Sequence, residues 1–237
     1  MHKIAKKLIV SAVFCSGFLA PAAHAAQMDS LLVAVEGIKD GGKIPATNAL
    51  CVPTSDGKSK PAEANTRPII RWSGAPRATH SFAVFVIDPD VPADFSNAGK
   101  EGKTIAAEAK RQNFFHWGVV DIPRVVLELP GGKSDNPPSA GLELPNSLGA
   151  KNYVPRPGEF GGPCPPWNDQ RLHHYHFVVL ALDENAPVSD PSALDSADPA
   201  NSANNAKQTY ERLMASGHVV AKGEVVGTYT LNPHGAR

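Results

Sequence analysis

Residues 161–183 read GGPCPPWNDQRLHHYHFVVLALD. A turn rich in glycine and proline leads into a run that opens on His173, Tyr175 and His176 and is continuously apolar from Val178. A short apolar run bounded by turn residues predicts a strand entering a core. Successive side chains of a strand point to opposite faces, so His173 and Tyr175 share one face while His174 and His176 share the other. Pro163, Pro165 and Pro166 restrict the preceding turn, whereas Gly162, Cys164 and Trp167 keep their backbone N–H groups. The stretch therefore predicts a small polar site at the mouth of a core strand.

Outward from it, the chain is punctuated by 22 prolines and 20 glycines. Apolar runs of similar length recur at 31–35, 68–72, 81–87, 114–122, 125–129 and 225–231, rich in Val, Ile and aromatics, as strands are. One helix is predicted over 204–216, where Ala206, Tyr210, Leu213 and Met214 fall on one face and Gly217 supplies a stop. A shorter helical turn is expected over 103–111, and a surface loop over 190–205. The fold expected is mainly β, an antiparallel sandwich with one or two short peripheral helices.

The chain of 237 residues carries 23 basic and 23 acidic side chains. Three of the lysines, Lys3, Lys6 and Lys7, precede the apolar run 8–20 and an Ala23-His24-Ala25 site, the pattern of a cleaved secretory leader over residues 1–25. The run is shorter than the roughly 20 residues that a membrane-spanning helix needs. The expectation is one domain over 26–237, periplasmic or secreted, with no membrane span. Without the leader lysines the balance is slightly acidic, which argues against nucleic-acid binding, since that needs a basic face. Cys51 and Cys164 lie beyond the leader; in an oxidising compartment they pair or remain two thiols, and the sequence leaves both open.

Two further segments place chemistry beside predicted strands. Asp88-Pro89-Asp90-Val91-Pro92 follows the run FAVFVI, where an aspartate can orient a histidine or cap a turn. His116, in FFHW, begins the strand GVVDI. Together with His173, Tyr175 and the 161–166 turn, these residues offer hydrogen bonds and close backbone approach to a small anion. The same Asp and His set can be read as the acid and base of a hydrolase of small esters or phosphoesters. No G-x-S-x-G elbow accompanies it, and Cys164 has no recognisable histidine partner nearby. H-E-x-x-H and C-x-x-C spacings are absent, so no metal or other cofactor is expected.

DPDVP at 88–92, FFHW at 114–117, GGPCPP at 161–166 and LHHYHF at 172–177, in that order, resemble the phosphatidylethanolamine-binding protein family in its bacterial, Raf-kinase-inhibitor-like branch. The closing GHVVAKGEVVGTYTLNP at 217–233 is similar too. The resemblance implies a β-sandwich with an anion pocket built from Asp88, His116, Gly162, Pro163, His173 and Tyr175. His174 stands where relatives usually have arginine, on the face away from the pocket. It also implies a noncatalytic protein that binds a phosphorylated or other small anionic ligand. A protein partner, engaged as a kinase or protease inhibitor engages its target, is a further expectation, with no stretch that identifies one.

Overall fold

The computed structural model describes residues 29–133, 136–148, 158–186 and 205–234. The expected leader and all of the expected 190–205 loop but its last residue lie outside the described residues. In chain order the elements are β1 (Asp29–Ser30), β2 (Leu32–Val35), β3 (Cys51–Pro53), β4 (Ser59–Pro61), β5 (Thr66–Arg67), β6 (Ile70–Ser73) and β7 (Ser81–Pro92). There follow β8 (Arg111–Pro123), β9 (Glu128–Leu129), β10 (Gly132–Lys133), β11 (Leu142–Glu143), β12 (His173–Leu182), α1 (Ala206–Ser216) and β13 (Val219–Tyr229).

The main sheet has the order β1-β13-β12-β7-β8-β11, and a second sheet the order β2-β6-β9. Every pairing in them is antiparallel except the short parallel edge β1–β13. The mainly β class expected from the runs is therefore observed. The central strand β7 is buried on both faces, and its side chains divide by alternation. Phe82, Val84 and Val86 join Trp117, Val119, Phe177 and Val179 in a core shared with Ile70, Trp72 and Leu129 of the second sheet. Ala83, Phe85 and Ile87 face the other way, with Phe115, Leu180 and the helix residues Ala206 and Leu213. Each Val, Leu, Ile or Phe among them taken fully out of water contributes about 1.5–3 kcal/mol.

Helix α1 is set by local signals. Asn205 caps it by accepting from the Gln208 N–H, and Gly217, at φ 81°, ends it in the left-handed region. Gly118 lets it approach the sheet, because a Cβ there would lie 2.8 Å from the Ala206 methyl carbon. Thr209 is buried in place of Met214, which is exposed. The buried face is thus rotated by part of a turn from the one expected.

Three other expectations are corrected. The 103–111 segment forms turns rather than a helix, since Ile105 bridges to Asp169 across the fold. Of 125–129, only Glu128–Leu129 pairs as a strand; Val125 sits exposed in a turn. The DPDVP segment is not a turn after a strand but the continuation of β7, whose register against β8 shifts between Asp88 and Val91. Such a bulge re-aims side chains and tolerates the prolines. Cys51 and Cys164 form a disulfide that ties β3 to the 161–166 loop. The tie is reinforced where the Leu50 and Cys51 N–H groups donate to Pro163 O.

Candidate functional site

Three neighbouring strands of the main sheet deliver polar side chains to one place. Asp88 comes from the bulge of β7, His116 from β8, and His173 and Tyr175 from the start of β12. These four line a cavity of about 430 Å³ whose walls include Phe95, Phe114, Leu148, Pro166 and Trp167. The alternation read from the sequence holds: His173 and Tyr175 are buried, while His174 and His176 are partly exposed on the opposite face. The floor is polar and the walls are apolar.

His173 is fully buried and both of its ring nitrogens are taken. Nδ1 lies 2.7 Å from Asp88 Oδ2 and Nε2 lies 3.2 Å from Asp169 Oδ2. Both acceptors are carboxylates, so the ring donates twice and is an imidazolium. Burial alone would push its pKa down, but the hydrogen bonds to Asp169 and Asp88 overcome this and hold it at about 9. Arg111 completes the chain, its Nη1 and Nη2 donating to the two oxygens of Asp169 at 2.6 and 3.0 Å. Burial opposes ionisation of Asp169, yet the His173 and Arg111 bonds keep its pKa below the usual value. Asp88, His173, Asp169 and Arg111 thus alternate in sign and cancel.

Beside this chain lies a second set. Asp90 accepts from Arg171 Nε at 2.5 Å, from His174 Nδ1 at 2.7 Å and from the His174 N–H. Despite burial, these bonds hold its pKa below the usual value. The Asp90 N–H in turn donates to Asp88 Oδ1 at 2.8 Å, which fixes the carboxylate from behind.

His116 is the opposite case. Nδ1 donates to Gly161 O at 2.9 Å, the only role a carbonyl permits it. Nε2 has no hydrogen-bond partner among the described residues, and neither does Tyr175 Oη. Burial pushes the His116 pKa down, against the pull of Asp88 and of the Gly161 carbonyl, so near neutrality the ring is uncharged with a bare lone pair at Nε2. The sequence reading made both histidines donors to a ligand. The structure gives neither a donor to spare, because His173 directs both of its N–H groups to carboxylates and His116 presents a lone pair. The Tyr175 hydroxyl keeps its proton, since burial and then the charge of Asp88 raise its pKa well above the ordinary value.

Gly162 and Pro163 fall behind the lining of the cavity. The Gly162 N–H, read from the sequence as a ligand donor, gives its hydrogen bond to Asn65 Oδ1 at 2.8 Å. A Cβ at 162 would run into the Asn48 carbonyl oxygen, so the glycine admits a neighbouring loop rather than a ligand. Sequence reasoning missed Asp169, Arg111 and Arg171. Asp169 had a visible signal, as an acid four residues before His173 in the opening stretch; the arginines had none. Among the described residues no three His, Cys, Asp or Glu side chains are grouped to hold a metal ion. No helix there is long and apolar enough to cross a membrane.

A family model described as phosphatidylethanolamine-binding protein matches residues 35–230. The chain belongs to the phosphatidylethanolamine-binding protein family. Among relatives of this family, the UPF0098 protein YbcL of Escherichia coli is 34% identical over 192 residues, covering 79% of this chain and 86% of its own. A UPF0098 protein of Pyrococcus abyssi is 29% identical over 166 residues, covering 70% of this chain and 72% of its own. The crystal structure of E. coli YbcL, described as a member of the mammalian PEBP family, superposes with a TM-score of 0.55 at 28% identity. It covers 85% of this chain and 98% of its own. A Chlamydia trachomatis homologue at 23% identity, TM-score 0.55, shares the fold over 85% of this chain and 97% of its own.

Proposed function

We propose that this chain binds a small anionic ligand, phosphorylated or otherwise acidic, in the cavity between β7, β8 and β12, and does not turn it over. One observation carries the reading. His116 Nε2 and Tyr175 Oη are buried polar atoms without a partner among the described residues, and both side chains line the cavity. Buried polar atoms are rarely left unpaired in native folds, so an orphaned pair in one cavity points to a ligand that completes it. The apolar walls, with Trp167, Phe95 and Phe114, suit a body attached to that acidic head. A protein partner would be engaged by the same chemistry, offering an acidic or phosphorylated side chain to the cavity.

The absence of turnover is supported by Cys164, which lines the cavity but is bound to Cys51 and so offers no thiolate nucleophile there. The disulfide also supports export, because such bonds persist in oxidising compartments. Binding is tested by soaking crystals with phosphate or phosphoethanolamine. Density between His116 and Tyr175 is the expected result, and a clean cavity at saturating ligand would sink the reading. An esterase and phosphatase screen should show equal background rates for wild type and His116→Ala. N-terminal sequencing of protein from the periplasm should begin at Ala26.

A further inference from the structure

The polar floor contains acceptors to spare and almost nothing to donate. Asp88 is a carboxylate, His116 presents the lone pair of Nε2, and His173 has both N–H groups directed to carboxylates. Of the four polar side chains of the floor, only Tyr175 has a hydrogen to give. The charges nearby cancel as well: the His173 imidazolium lies between two carboxylates and Arg111 pairs with the second. No lysine or arginine lines the cavity among the described residues. A fully ionised dianion placed on this floor meets neither a net counter-charge nor more than one donor there; the other side-chain donors of the lining are Ser59, Ser147 and Trp167. Its oxygens would face Asp88 and His116 with lone pair against lone pair.

Resting on the anion-pocket reading above, we propose that the cavity selects oxyacid heads that arrive carrying a proton. The class is the phosphomonoester monoanion and its like, taken in preference to sulfate esters and sulfonates. The ligand O–H donates to Asp88 or to His116 Nε2, and the Tyr175 O–H donates to a ligand oxygen. A sulfate ester of the same shape has no proton to offer, so it leaves a buried acceptor facing an oxygen. That mismatch costs roughly 10- to 100-fold in affinity. The discrimination is made by Asp88, since no other acceptor of the floor is a carboxylate free of arginine.

The pH dependence follows. The groups facing His116 are Asp88 from β7, His173 and Tyr175 from β12, the Phe114 ring beside it on β8, and the carbonyls of the 161–162 loop. A phosphomonoester loses its second proton at about pH 6, so above that point binding must take one proton from solution. Affinity therefore falls about tenfold per pH unit above ~6. Once His116 itself is protonated, below its lowered pKa, it becomes a donor and the preference over sulfate shrinks.

The test is a matched pair, phenyl phosphate and phenyl sulfate, titrated into the purified protein by calorimetry at pH 6.5 and 8 in buffers of two ionisation enthalpies. The expected result is at least about tenfold tighter binding of the phosphate at pH 6.5, with uptake of close to one proton per ligand at pH 8. The variant Asp88→Asn, whose amide can donate, should narrow the gap by binding phenyl sulfate better. If Asp88→Asn does not fold, the two ligands on the wild-type protein still decide. Equal affinities without proton uptake would overturn the selectivity while leaving an anion pocket in place. Binding of neither ligand would overturn both.

Discussion

The two buried histidines of the cavity sit on β8 and β12, the strands that flank β7, and their rings are treated in opposite ways. His173 is saturated: two carboxylates hold it charged, and Arg111 closes the chain. His116 is anchored at one nitrogen only and kept uncharged by burial. The same side chain serves as a structural cation on β12 and as an open acceptor on β8. Residue type therefore does not decide whether a histidine belongs to the framework or to the ligand. The number of partners already satisfied decides it.

The strongest way to break this comparison is His173→Ala. It strands two buried carboxylates and should cost about 3–5 kcal/mol of stability in urea denaturation. A loss below ~1 kcal/mol would show that the charged chain is not framework. The pH dependence comes next. The folded pKa of His173, about 9, lies above its ordinary 6.5. Its contribution is therefore fully present below pH ~6.5 and is lost as pH rises through about 9, for a total of about 3 kcal/mol. Thermal unfolding from pH 6.5 to 9.5 should show this decline, and His173→Gln should flatten it.

Opening the disulfide with Cys51→Ala and Cys164→Ala should cost about 2–4 kcal/mol. It should also loosen the loop whose Gly161 carbonyl orients His116, read as faster amide exchange in 161–166. The smallest stability change should come from His116→Asn, within about 1 kcal/mol of wild type, because one of its ring nitrogens makes no bond to lose. Ligand affinity should nevertheless fall. A stability loss as large as that of His173→Ala would erase the distinction between the two rings.

Alternation made the His173–Tyr175 face legible, because a period of two is a local property of any strand. The C-terminal end of α1 was legible for the same reason, in Gly217, whereas the Asn205 cap was not singled out. The 88–92 segment was misread because Asp-Pro-Asp is turn chemistry in isolation, and only pairing with β8 makes it a bulged strand. Asp169 and Arg111 are 58 residues apart and meet through the 103–111 turns, which no local pattern announces. Gly162 was assigned to a ligand when its missing side chain serves the Asn48 backbone. Such a distinction belongs to tertiary packing and has no signature in the sequence.

The strand order sets a timetable. β13 is the last strand, yet it lies inside the main sheet between β1 and β12, and Tyr229 Oη donates to Cys51 O, 178 residues earlier. Until that strand arrives, one flank of β12 and one side of the core stay open. The molecule thus closes through contacts that are distant in sequence and slow to find. A chain shortened by its final fifteen residues would present an unpaired, apolar strand edge, the usual starting point for aggregation.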